Sequence, residues 1–137
     1  MRKSILNERA ARAFRNYARL GLSSADSALD VAVRIRGICN DEVGLDLLAV
    51  FDTLRLLEAT GQNETLDAIR CVYFETAFRR IHANEVSLII LRLSRELHLD
   101  ERTVYRRLQR ARSLWHYLRS NSRPAALGTR GMIRRLY

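Results

Sequence analysis

The chain has 137 residues, of which 47% are hydrophobic, a length that suits one domain with enough chain to bury a core. Its formal net charge of +9 is uneven, with 12 basic against 11 acidic residues from Met1 to Ala83 and 12 against 4 from Asn84 to Tyr137, which is the electrostatic footprint expected for a nucleic-acid partner. No apolar run reaches the length of a membrane span and the N-terminal MRKSILNERAARAF has no apolar signal core, so a cytoplasmic protein that neither crosses nor inserts into a membrane is expected.

The single proline lies late, at Pro124, so long helices run uninterrupted and an all-α fold of about six helices follows. Leu6, Ala10, Phe14 and Tyr17 repeat at helical spacing from about Ser4 to Leu20, with Gly21 as a stop. Arg9, Arg12, Arg15 and Arg19 fall off that stripe, as a solvated face or as a second contact to DNA. Ser23 with Asp26 resembles an N-cap pair opening a helix through Ala28, Ala32 and Ile35 toward Cys39. Asn40 caps the next helix, which runs to Gly61 on Val43, Leu47, Val50, Phe51, Leu54 and Leu57. Leu45, Leu48 and Leu56 lie away from that stripe, so this helix is either the central core helix or a homodimer contact. Asn63 and Glu64 open a helix on Leu66, Ile69, Val72, Tyr73, Ala77 and Ile81, closed by Arg79 and Arg80 beside its C-terminal dipole. Cys39 and Cys71 have no Cys-x-x-Cys spacing and no histidine at ligand distance in sequence, so both are expected as buried reduced thiols.

Residues 84 to 118, NEVSLIILRLSRELHLDERTVYRRLQRARSLWHYL, organise the rest. Val86, Ile89, Ile90, Leu93 and Leu97 make one helical stripe, with Asn84 as its expected cap. That helix stops at His98-Leu99. Asp100 then caps a second helix on Val104, Leu108, Ala111, Trp115 and Leu118. Two amphipathic helices joined by so short a turn read as a helix-turn-helix, with Leu99 filling the corner beneath Val104 and Leu93. Arg102, Tyr105, Arg106, Gln109 and Arg110 fall off the apolar stripe of the second helix, flanked by Arg107 and Arg112. Arginine and glutamine can bond guanine and adenine edges in the major groove, and further arginines neutralise phosphates. On this basis Arg102, Tyr105, Arg106 and Gln109 are expected to contact bases or groove, and Arg107, Arg110 and Arg112 to contact phosphates or, in part, to bridge to supporting helices.

The string TVYRRLQRAR, residues 103 to 112, resembles the end of the helix-turn-helix in region 4 of bacterial sigma factors. Leu93, Ser94, Leu97 and Leu99 stand at that family's packing positions, and Asp100 and Glu101 bring negative charge to the tip of the second helix. His98 stands where a glycine is usual, so the resemblance implies a left-handed or near-left-handed conformation for a residue bearing a Cβ. In size and layout the chain is similar, more loosely, to phage and mobile-element late-gene regulators of the ArpU/RinA type. The resemblance implies a DNA-binding transcription regulator, and it leaves room for RNA polymerase as the partner of the competing interaction-module reading.

From Ser120 the chain turns to SNSRPAALGTRGMIRRLY, read as a flexible basic tail over 120–137 behind a single helical domain over 1–119, itself divided into supporting helices over 1–83 and the helix-turn-helix over 84–119. No Gly-rich phosphate loop, metal-ligand cluster or catalytic string stands in the sequence, so neither catalysis nor a cofactor is expected. The competing expectations are a helical protein-interaction module and a DNA-packaging subunit.

Overall fold

The computed structural model describes Leu6 together with residues 8–38 and 40–121. Among these residues the chain is all-helical, in six helices: α1 Arg9–Arg19, α2 Ala28–Arg36, α3 Asp41–Ala59, α4 Asn63–Ile69 extended by a π-helical turn Arg70–Phe74, α5 Ala83–Leu97 and α6 Glu101–Ser120. Of the expected tail over 120–137, Ser120 and Asn121 close α6, and Cys39 and the segment from Ser122 onward lie outside the described residues.

Short polar side chains set most of the helix starts. Glu8 accepts from the Ala10 and Ala11 N–H groups at 3.1 and 3.3 Å, and Asn40 accepts from Glu42 and Val43 at 2.9 and 3.2 Å, satisfying donors that have no partner inside the helix. At α2 the expected start is displaced: Asp26 accepts from the Ser23 N–H at 2.7 Å and closes a turn. Ser27 then caps the helix through the Asp30 N–H at 3.2 Å. At α5 the cap position is His82 rather than Asn84, because the Glu85 carboxylate reaches back to the His82 N–H at 3.2 Å and draws Asn84 into the first turn. Gly21 and Gly61 follow α1 and α3 with φ of 79° and 71°, the left-handed region that glycine enters without a Cβ clash.

The fourth helix ends earlier than the periodicity predicts. After Ile69 it widens, the Glu75 N–H donating to Arg70 O at 2.9 Å, and the chain turns through 75–78, so Arg79 and Arg80 stand beyond the helix. The carbonyls released there are taken by α1. Arg15 donates to Thr76 O at 3.0 Å and Arg79 O at 3.1 Å, and Arg19 donates to Ala77 O at 2.6 Å. These two arginines of the α1 row are therefore structural donors, and burial together with the Arg19 and Arg79 charges holds the Arg15 guanidinium below its ordinary pKa.

Helix α3 is the core helix. It packs against α1, α2, α4 and α6, and Leu45 and Leu48, which a homodimer contact would have used, are buried inside the chain; of the three leucines off its stripe only Leu56 is exposed. Phe14 stacks on Tyr73 with centroids 5.4 Å apart. Cys71 is a buried free thiol, its pKa raised chiefly by burial.

Candidate nucleic-acid interface

Helix α5 closes with the two hydrogen bonds of a Schellman motif, from the His98 N–H to Arg95 O at 3.4 Å and from the Leu99 N–H to Ser94 O at 2.9 Å. This pattern needs a left-handed residue between them. His98 supplies it at φ 56°, ψ 39°, as the resemblance implies. The reversal sends Leu99 back against the core. Asp100 accepts from the Thr103 N–H at 2.7 Å and starts α6 after only three intervening residues. Hydrogen bonds from the Thr103 side chain and N–H, with the Arg106 and Arg102 charges as lesser causes, lower the Asp100 pKa.

Helix α6 buries Val104, Leu108, Ala111 and Trp115 completely. The Trp115 indole N–H donates to Asp46 O at 3.0 Å, tying the helix to α3. Its C-terminal half is held by a charge cluster. Arg119 is buried and bonds Asp46 Oδ1 at 2.7 Å and Glu42 Oε2 at 2.5 Å, and Arg9 of α1 joins the same Asp46 oxygen at 2.8 Å. His116 contacts the cap residue Glu8. None of these partners is near in sequence, so Arg119 gave no local signal, and the side chains that position α6 are more numerous than its apolar stripe indicates.

Of the seven side chains expected to contact DNA, the structure groups Arg102, Arg106, Gln109 and Arg110 on the exposed face opposite the buried stripe. Arg102 and Arg106 make no ion pair among the described residues. Arg110 is held by a neutral partner, Gln62 Oε1 at 3.3 Å. Arg107 turns to the supporting helix, its guanidinium 3.3 Å from Glu64, in the bridging role allowed for it.

Two of the seven turn inward. Arg112 is only 8% exposed and donates to Tyr73 Oη at 3.3 Å and to Gln109 Oε1 at 2.6 Å, so it is held against the supporting helix, the second of the two roles expected for it. Tyr105, expected to reach the groove, packs against the core with its hydroxyl buried and without a hydrogen-bond partner among the described residues. At 100° per residue, positions 105 and 112 fall beside the apolar stripe, and the neighbouring helices α1, α3, α4 and α5 wrap α6 widely enough to cover them.

Gln109 is exposed, yet both ends of its carboxamide are engaged, the oxygen by Arg112 and the nitrogen by Ser113 Oγ at 3.2 Å. Among the described residues no group of three or more His, Cys, Asp or Glu side chains converges to hold a metal, and no helix is long and apolar enough to cross a membrane. No family model matches the chain, and neither a curated protein nor a solved structure matches it.

Proposed function

We propose that the chain binds duplex DNA through the outward face of α6 and acts as a transcription regulator, with α5 and α6 as its helix-turn-helix. The observation that carries this is the contrast among the arginines of α6. Arg107, Arg112 and Arg119 are committed to carboxylates, a hydroxyl or an amide oxygen of the chain. Arg102 and Arg106, one turn apart on the exposed side of α6, make no ion pair among the described residues. Guanidiniums held outward on an anchored helix match the donor geometry of guanine edges and phosphates. Arg102 and Arg106 read the groove, and Arg110, released from Gln62, neutralises phosphate. The likeness of residues 103 to 112 to sigma region 4 supports the same assignment, and four more arginines, Arg123, Arg130, Arg134 and Arg135, follow in the sequence.

Fluorescence anisotropy on random duplex across a salt series, followed by selection from a random pool, tests the proposal. A steep loss of affinity with salt and an enriched motif are expected. Absence of binding at low salt would refute it.

A protein partner, such as RNA polymerase, is the second proposal. It is favoured by Leu29 and Val33, one turn apart on α2 and each 55% exposed, and by Phe78 at 74%. Capture of polymerase with loss on substituting Leu29 and Val33 by Ser would support it.

A further inference from the structure

We infer that the outward face of α2 is a twofold contact between two copies of this chain, whether or not the chain binds DNA. Helix α2 is nine residues long, packs on α3 and turns Val31, Ala32 and Ile35 inward. Its other side carries Leu29 and Val33, one turn apart and each 55% exposed. They form one apolar row of the i, i+4 kind along which helices pack on each other. Beside that row lie opposite charges, Asp30 in the first turn and Arg34 in the last. Their spacing, with the acid first, suits a pair within the helix, but they do not pair. Asp30 accepts from the Ser27 hydroxyl at 3.0 Å and makes no ion pair among the described residues. Arg34 turns back and donates through Nη1 to the Leu20 carbonyl. A guanidinium has several N–H donors, so Arg34 keeps some for a second acceptor.

This pattern is complementary to itself. In an isologous contact residue i meets j and j meets i. Laid antiparallel on its copy, about a twofold midway between Leu29 and Val33, α2 sets Leu29 of each chain against the partner's Val33. Position 30 then comes opposite position 32, two residues or about 3 Å of rise from the partner's Arg34. Both charges stand on the same flank of the helix pair, since this twofold keeps each flank on its own side. Two Asp30–Arg34 pairs follow by symmetry and flank the apolar centre. That charge match assigns the Leu29 and Val33 surface to a second copy in preference to polymerase. A contact confined to one short helix is smaller than a tight interface needs, so the dimer is weak, with a dissociation constant on the order of 10 µM. For the DNA-binding proposal above, two α6 helices on one twofold call for an inverted repeat.

The test is sedimentation velocity of the full chain, without DNA, from about 5 to about 500 µM, on the wild type and on Leu29→Lys and Val33→Glu, separately and mixed. Both side chains are exposed, so thermal melts of the variants should match the wild type. The wild type is expected to pass from monomer to dimer across this range. Each variant alone sets an unpaired charge against an apolar side chain and should dimerise at least tenfold more weakly. An equimolar mixture should recover dimer, because the introduced lysine of one chain meets the introduced glutamate of the other. A wild type that stays monomeric overturns the inference, and capture of polymerase by that monomer would give the surface to polymerase instead. A dimer that both variants retain places the contact elsewhere, an assembly larger than two is not closed by this twofold, and a mixture no better than either variant refutes the antiparallel pairing. Should a variant fail to fold, the wild-type concentration series and the other variant decide.

Discussion

Replacing His98 with Gly should stabilise the protein by about 0.5–1 kcal/mol. At φ 56° and ψ 39° the histidine Cβ is crowded against the following carbonyl, which costs about 1–2 kcal/mol in an L-residue. Glycine removes that cost but loses more backbone entropy on folding, roughly 0.5–1 kcal/mol. The histidine side chain is exposed and makes no hydrogen bond among the described residues, so nothing else is forfeited. The two Schellman bonds are made by backbone and survive the change. Urea denaturation should show the gain as a higher midpoint at unchanged slope, and Tm should rise by roughly 2–6 °C. His98→Val, whose branched Cβ fits this region worst, should move both the other way. If the Gly variant is no more stable than wild type, the strain assigned to this junction is absent.

Arg119→Met should destabilise by about 1–3 kcal/mol, below the full cost of breaking a buried pair because Glu42 is exposed and Asp46 keeps Arg9. Chemical denaturation reads it, and a loss under about 0.3 kcal/mol would remove the cluster from the account. Tyr17→Phe should be neutral or stabilising by up to about 1 kcal/mol, since the Tyr17 hydroxyl is buried without a hydrogen-bond partner among the described residues; a clear loss in thermal melts would contradict this. Asp100 and Glu85 have pKa values lowered in the fold, by hydrogen bonds from Thr103 and from Arg79 respectively. Their contributions are complete above the ordinary values of 3.8 and 4.5 and are lost as pH falls through the lowered folded values. Melts from pH 6 to pH 2.5 should therefore fall less steeply for Asp100→Asn, which keeps the cap oxygen but cannot titrate; an unaltered profile would contradict the assignment.

Local chemistry made the junction between α5 and α6 legible before the structure. Asp100 caps and Leu99 packs inward because each is decided by neighbours within a few residues. The same holds for Asn40, Gly21 and Gly61, whereas the left-handed His98 was legible through the resemblance, in which a glycine is usual at that place. Where two polar groups competed for one helix start, the pattern favoured the wrong one: Ser27 prevails over Ser23 once Asp26 is spent on a turn, and Glu85 selects His82 over Asn84. The early end of α4 was hidden for another reason. Its apolar spacing continues past Phe74, but the carbonyls it leaves open are satisfied by Arg15 and Arg19, some sixty residues back. Long-range partners likewise decided the candidate site. Arg112 sits with Tyr73, Arg119 with Asp46 and Glu42, and Tyr105 within the core; a helical wheel puts these positions beside the apolar stripe and Arg102 and Arg106 opposite it, but it cannot show how far the neighbouring helices reach around α6 to cover the flanking ones.

The most direct test of the proposed interface compares the wild-type chain with Arg102→Ala/Arg106→Ala by anisotropy on one labelled duplex carrying the selected motif, at matched salt concentrations and after confirming equal Tm. Both arginines are exposed and make no ion pair among the described residues, so the fold should be unaffected while affinity falls at least tenfold and the dependence on salt becomes shallower. Equal affinity and equal salt dependence in the two proteins would contradict the assignment of DNA binding to the outward face of α6.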